Sequence, residues 1–247
     1  MKRILIPLCL VVGSHVASGQ RSYQFEAPDR LFIEGKELFS LKNYPGCIDK
    51  LEAYKQHAKD ADLIQEADYM IVYAAYEQGR PNADELLKDY LEDYPASRHS
   101  DEVNFLIGSI HFERGEYQKA IFWFNESDID MLSPEQQEAY SFRLAYSLLQ
   151  TGEMDKARGY FSRIQQIGTK YREASTYYVA YIDYATGKYN NALVEFSRLV
   201  VLGCQVDFHQ VVVYFVGILR VREIIQEIFE DRNRFAESGK GSFMDQQ

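Results

Sequence analysis

The chain has 247 residues, 46% of them hydrophobic and 14% aromatic, with 19 Tyr and a single Trp. That content supplies a packed core for one or two ordinary domains or one repeat array. A formal net charge of −10 leaves no basic footprint for nucleic acid or an anionic membrane surface.

The first segment reads as a processing signal. Lys2 and Arg3 precede a short apolar stretch over residues 4–12, and Ala17-Ser18-Gly19 places small residues before Gln20. Residues 1–19 are therefore expected to be a secretory signal peptide, too short to span a bilayer comfortably. Leu8 precedes Cys9, where a lipoprotein signal needs a small residue, so no lipid anchor is expected at Cys9. Cleavage leaves 25 basic and 37 acidic residues, a net of −12, and only Cys47 and Cys204. Two such distant thiols are not a disulfide framework.

A pattern then recurs every 35 to 37 residues. It reads Asn43-Tyr44-x-x-Cys47-Ile48-x-x-Leu51, then Gly115-Glu116-Tyr117-x-x-Ala120-Ile121-x-x-Phe124. It returns as Gly152-Glu153-Met154-x-x-Ala157-x-x-x-Phe161 and Gly187-Lys188-Tyr189-x-x-Ala192-Leu193-x-x-Phe196, with a blurred copy at Gln78-Gly79-Arg80-x-x-Ala83-x-x-x-Leu87. A fixed period of this length marks a stacked array of supersecondary units.

Residues 101–134 show what one unit is. Ser100 and the acidic pair Asp101-Glu102 suit a helix start. Phe105, Ile107, Gly108, Ile110 and Phe112 follow, and Gly115 ends the helix. A second helix carries Tyr117, Ala120, Ile121 and Phe124 at i, i+3, i+4, i+7. Ser133-Pro134 opens the next. Each unit is thus an antiparallel helix pair with a glycine turn. A small residue recurs in the first helix at Gly35, Gly108, Ala145, Ala180 and Gly217, with Ile71 and Val72 both open for the second unit. Paired with the small residue of the second helix, it lets the two helices approach closely, and the Phe124 ring fills the space beside the crossing.

These residues resemble the tetratricopeptide-repeat (TPR) family over roughly residues 29–202: a small residue in the first helix, Gly at the turn, an aromatic two residues on, then Ala, then Phe. Pro95 stands where the family often closes a repeat. The usual first-helix Trp is absent, with Leu31, Asn104, Ser141 and Thr176 in its place, and the period exceeds the common 34 residues. The resemblance implies an all-α, right-handed α-solenoid of antiparallel helix pairs, with five pairs over 20–203. A degenerate sixth pair or cap follows over 204–231, and a polar, disordered tail over 232–247.

The resemblance also implies a concave groove lined by first helices. Its positions map to Phe32, Lys36 and Phe39; Tyr69, Tyr73 and Tyr76 in one of two registers; and Phe105, Ser109 and Phe112. They continue as Phe142, Tyr146 and Leu149, then Tyr177, Tyr181 and Tyr184. The i, i+4, i+7 spacing alone puts each set on one helical face. All but Lys36, Ser109 and Leu149 are aromatic, which suits a peptide or partner helix. The same rings could instead pack first helix on first helix. The family's cationic carboxylate clamp is not expected, because only Lys36 has that character.

No motif for chemistry stands out. His57, His99, His111 and His209 lack zinc-ligand spacing, and Asp128-Ile129-Asp130 lacks the rest of a calcium loop. Gly239-Lys240-Gly241-Ser242 lacks the upstream Gly and strand of a phosphate loop. The expectation is a non-catalytic, cofactor-free scaffold, periplasmic or outer-membrane-associated, that binds other proteins or peptides. It is expected to bind no nucleic acid and to have no transmembrane segment after signal cleavage. Two alternatives stay open. One is a glycan- or peptidoglycan-associated module, including the non-catalytic part of a cell-wall enzyme. The other is a structural protein that self-associates through its C-terminal end near Val211. The weak cap there implies either that this helix closes the array or that the chain belongs to a longer repeat protein.

Overall fold

The structure, a computed structural model, describes residues 27–201 together with 215–220, 222, 223, 226 and 230. The expected signal peptide (1–19), most of the apolar run 211–216, most of the expected cap (204–231) and the polar tail (232–247) lie outside the described residues. Every element named below is helical: α1 Ala27–Ser40, α2 Tyr44–Lys55, α3 Ala61–Glu77, α4 Ala83–Asp93, α5 Ser100–Glu113 and α6 Tyr117–Asn125. After a 3-10 turn at Ile129–Met131 come α7 Pro134–Gln150, α8 Met154–Ile167, α9 Arg172–Ala185 and α10 Tyr189–Val201. The chain divides into two compact units, one up to Ala74 and one from Ala75 onward.

In the first unit α1 packs along α2. Lys42 takes up the left-handed conformation (φ 57°), and the N–H of Asn43 donates to the Leu38 carbonyl five residues back at 2.8 Å. This closes α1 with a Schellman motif, although a lysine stands where glycine is the usual choice. Asn43 then caps α2, its side chain accepting from the Gly46 N–H at 3.3 Å. Cys47 and Leu51 are fully buried. Burial pushes the Cys47 thiol up to about 11, as expected of a core residue.

The second unit repeats the device with glycine. Gly79, Gly115, Gly152 and Gly187 all have positive φ, from 63° to 88°. The residue after each donates to a carbonyl five back: Arg80 to Ala75, Glu116 to His111, Glu153 to Leu148 and Lys188 to Asp183, at 2.8–3.1 Å. Gly79 lies seven residues after Val72, as Gly115 lies seven after Gly108. Val72 is thus the counterpart of the small residue that the sequence left open. α5 packs on α6, α7 on α8 and α9 on α10, with α6 against α7 and α8 against α9.

The crossing works as the spacing implied. A Cβ at Gly108 would lie 2.7 Å from the Phe124 ring. Ala120, Ala157 and Ala192 are fully buried, as are Phe124, Phe161 and Phe196. Gly217 departs from the expectation. It is exposed, and no described atom lies within 4 Å of where its Cβ would be. The helical stretch 215–220 instead turns Phe215 and Leu219 toward Ala180, Ala192, Phe196 and Leu199. Phe215 stacks on Phe196 with ring centroids 5.2 Å apart.

Capping chemistry fixes where α7 begins. Ser133 and Gln136 form a reciprocal capping box, and Pro134 occupies the first turn. α5 starts where Ser100 and the acidic pair suggested, with His99 at the cap position. Ser100 is already helical, and its hydroxyl donates to the Ser97 carbonyl at 2.8 Å.

Candidate functional site

The first-helix positions fall into two groups by burial. In the first unit Phe32 is buried against the Tyr54 ring at 5.2 Å, and Tyr69 is buried with Tyr73 at 6.0 Å. Phe39 and Tyr73 are half-buried and meet edge-on at 5.2 Å. Lys36 is exposed. In the second unit Phe105 is buried beside Phe124 and Tyr140. Ser109 is buried and donates to the Phe105 carbonyl at 2.7 Å, and Leu149 is buried as well. Phe32 and Phe105 therefore serve the packing of their own helix pairs, and Tyr69 is buried along α3.

The half-buried rings of the second unit form a continuous path. Phe112 meets Tyr117 at 6.1 Å and Tyr146 at 5.6 Å. Tyr146 meets Tyr178 edge-on at 5.4 Å. Tyr178 meets Tyr177 at 5.3 Å, and Tyr177 lies 6.5 Å from Tyr181 with the planes only 18° apart. Phe142 sits beside this path, stacked on Tyr171 at 4.5 Å. Tyr184 is half-buried between Tyr189 and Phe215. The path ends in an open cleft of about 270 Å³ lined by Leu149, Gln150, Met154, Tyr177, Tyr178 and Tyr181. Tyr181, 36% exposed, is the most accessible of its rings.

Several contributors escaped the i, i+4, i+7 reading. Tyr178 immediately follows a groove position, and the matching residue one repeat earlier is Arg143. Tyr171 lies in the loop before α9. Spacing along one helix cannot find them, because a ring on a neighbouring helix brings them in.

The electrostatics follow from burial. Burial raises the pKa of the Tyr178 hydroxyl, and the neighbouring Tyr146 and Tyr177 hydroxyls add to the rise. Burial likewise raises that of Tyr177. These phenols are neutral donors at any physiological pH. At the other end of the path, the Arg143 guanidinium lies over the Phe105 and Phe112 rings, 5.7 and 5.9 Å from their centroids. It faces Glu113 at 3.6 Å. Tyr76 lies beside it. Burial raises the Tyr76 hydroxyl pKa, Arg143 opposes the rise, and the Glu113 and Glu77 carboxylates add to it. Among the described residues no three His, Cys, Asp or Glu side chains converge as a metal site would require. No described helix is long and apolar enough to cross a membrane.

Residues 26–130 match a family model described as the outer membrane lipoprotein YfiO. Residues 138–167 match a tetratricopeptide-repeat model. The described helix pairs have the tetratricopeptide-repeat fold. Solved structures share the TPR fold. MamA AMB-1 matches with TM-score 0.56 at 18% identity, over 75% of this chain and 97% of that one. PilF of Pseudomonas aeruginosa matches with TM-score 0.53 at 18% identity, over 85% and 87%. A tetratricopeptide-repeat protein from Parabacteroides merdae matches with TM-score 0.56 at 15% identity, over 82% and 79%. At these identities the likeness is one of TPR architecture. No curated protein sequence matches the chain.

Proposed function

We propose that the chain is a non-catalytic scaffold of the bacterial cell envelope that holds partner proteins on the aromatic face of its first helices. The observation that carries this reading is the ring path from Phe112 through Tyr146 and Tyr178 to Tyr177 and Tyr181, ending in the cleft. Rings of this kind offer large, rigid contact area with a polar tip, which is what dominant interface residues share. The charged n-region and apolar stretch at the N-terminus support an envelope location. So does the match of residues 26–130 to an outer membrane lipoprotein model. Tyr177→Ala with Tyr181→Ala should lower capture of partners from envelope extract at least tenfold while helix content and melting temperature stay near the parent's. Unchanged capture by a folded double variant would remove this reading.

One observation favours a second reading. The near-parallel Tyr177 and Tyr181 rings present faces on which a sugar ring can stack, as a glycan-associated module requires. Cosedimentation with purified peptidoglycan, lost in the same double variant, would select that reading over a protein partner.

A further inference from the structure

We propose a second binding site, at the other end of the α7–α8 pair from the tyrosine cleft, for a small zwitterion. Its ligand is an amino acid or dipeptide with free amino and carboxyl ends and an apolar side chain. The tyrosine cleft takes in Leu149 and Gln150 at the end of α7 and Met154 at the start of α8. The two helices pack on each other, joined by a short turn, so the start of α7 and the end of α8 lie together at the opposite end. There they border, with Gly168 and Thr169, an open cavity of about 310 Å³. That volume lies at the lower end of the roughly 300–1,000 Å³ range of small-molecule sites.

The apolar part of the lining is Ile129, Pro134, Ile164 and Ile167. Ile164 is buried, but Ile167 is 69% exposed, an apolar surface that a ligand side chain would take out of water. The loop side is held in place by Glu138. Its carboxylate accepts from the N–H groups of Thr169 and Tyr171, both at 2.8 Å, and from the Thr169 hydroxyl at 3.0 Å. A Cβ at Gly168 would lie 2.6 Å from Ile164 and 2.8 Å from Glu138, so glycine lets the loop sit this close. A wall fixed in advance costs a ligand little ordering.

The polar side chains of the lining divide into two sets. Glu138 and Thr169 are bonded to each other. The Gln137 amide donates to the Leu132 carbonyl at 3.0 Å, and the Ser141 hydroxyl to the Gln137 carbonyl at 2.8 Å. Arg163 and Glu135 differ. Both are exposed, and neither has a hydrogen-bond or ion-pair partner among the described residues. Two opposite charges thus border one largely apolar space without pairing. A zwitterion between them satisfies both, its carboxylate on the Arg163 fork and its ammonium on Glu135. A simple anion would meet the repulsion of Glu135, and a simple cation that of Arg163.

The test is calorimetric titration of the full chain with the standard amino acids and with apolar dipeptides such as leucyl-leucine. Ligands with an apolar side chain should bind more tightly than about 1 mM, and glycine should not. Blocking either end of the best ligand, by N-acetylation or C-amidation, should weaken it about five- to tenfold. Arg163→Gln should remove the penalty of C-amidation, and Glu135→Gln that of N-acetylation. Both residues are exposed, so the melting temperature should stay near the parent's. Tyr177→Ala with Tyr181→Ala should leave this binding unchanged, because those rings line the other cleft. Three results overturn the inference: no zwitterion binding at about 1 mM, blocked ligands binding as well as free ones, or affinity that survives both charge variants but falls in the tyrosine variant. None of them bears on the aromatic face as a partner site.

Discussion

Gly108 and Gly159 are both helical, yet their neighbours give them opposite roles. A Cβ at Gly108 would lie 2.7 Å from Phe124, whose ring is fully buried and wedged against Phe105 and Tyr140. Gly108→Ala gains about 0.5–1 kcal/mol of helix propensity but must displace that ring, and overpacking costs about 1–3 kcal/mol. The net effect should be destabilising. Gly159 lies inside α8 with nothing within 4 Å of its Cβ position. Gly159→Ala keeps the propensity gain without the clash, so it should stabilise by about 0.5–1 kcal/mol. Urea titration of both variants checks the pair. Two shifts of the same sign would show that propensity, rather than the crossing, decides the outcome at Gly108.

Ion pairs tie successive elements of the second unit together, and they differ in how they respond to mutation and pH. Arg158 on α8 grips Asp183 on α9 through two hydrogen bonds, at 2.7 and 2.8 Å. Asp183 is fully buried, whereas the Arg158 side chain is 33% exposed. Arg158→Ala strands a buried carboxylate and should cost about 3–5 kcal/mol. Asp183→Leu combined with Arg158→Met leaves no stranded charge and should cost far less, so thermal melts of the single and double variants decide the point. Asp84 on α4 bonds Arg114 at 2.9 Å and Lys88 at 3.1 Å. The Arg114 hydrogen bond holds the Asp84 carboxyl down to about 2, against burial and with help from Lys88. Its folded pKa lies below the unfolded value of about 3.9. The pair's contribution is therefore complete above about pH 4 and is lost as pH falls toward 2. That contribution is of order 2 kcal/mol. Unfolding free energies at pH 5 and pH 2.5 should differ by less in Asp84→Asn than in the parent.

At the scale of the whole molecule, periodicity made the fold legible and the face only half so. A small residue, a turn and a large apolar residue recur at fixed offsets because each helix pair must solve the same crossing. That is why Gly108, Ala145 and Ala180 could be aligned with Gly115, Gly152 and Gly187 from sequence alone. Lys42 shows the limit, since a left-handed turn on a lysine leaves no glycine to read. The ring path was less legible because rings on neighbouring helices decide which first-helix aromatics stay accessible. Phe105 is covered by Phe124, Tyr140 and Arg143, while Tyr181 stays open. Charge is read from composition at once, but its direction is not: Arg143 turns inward and Glu113 outward.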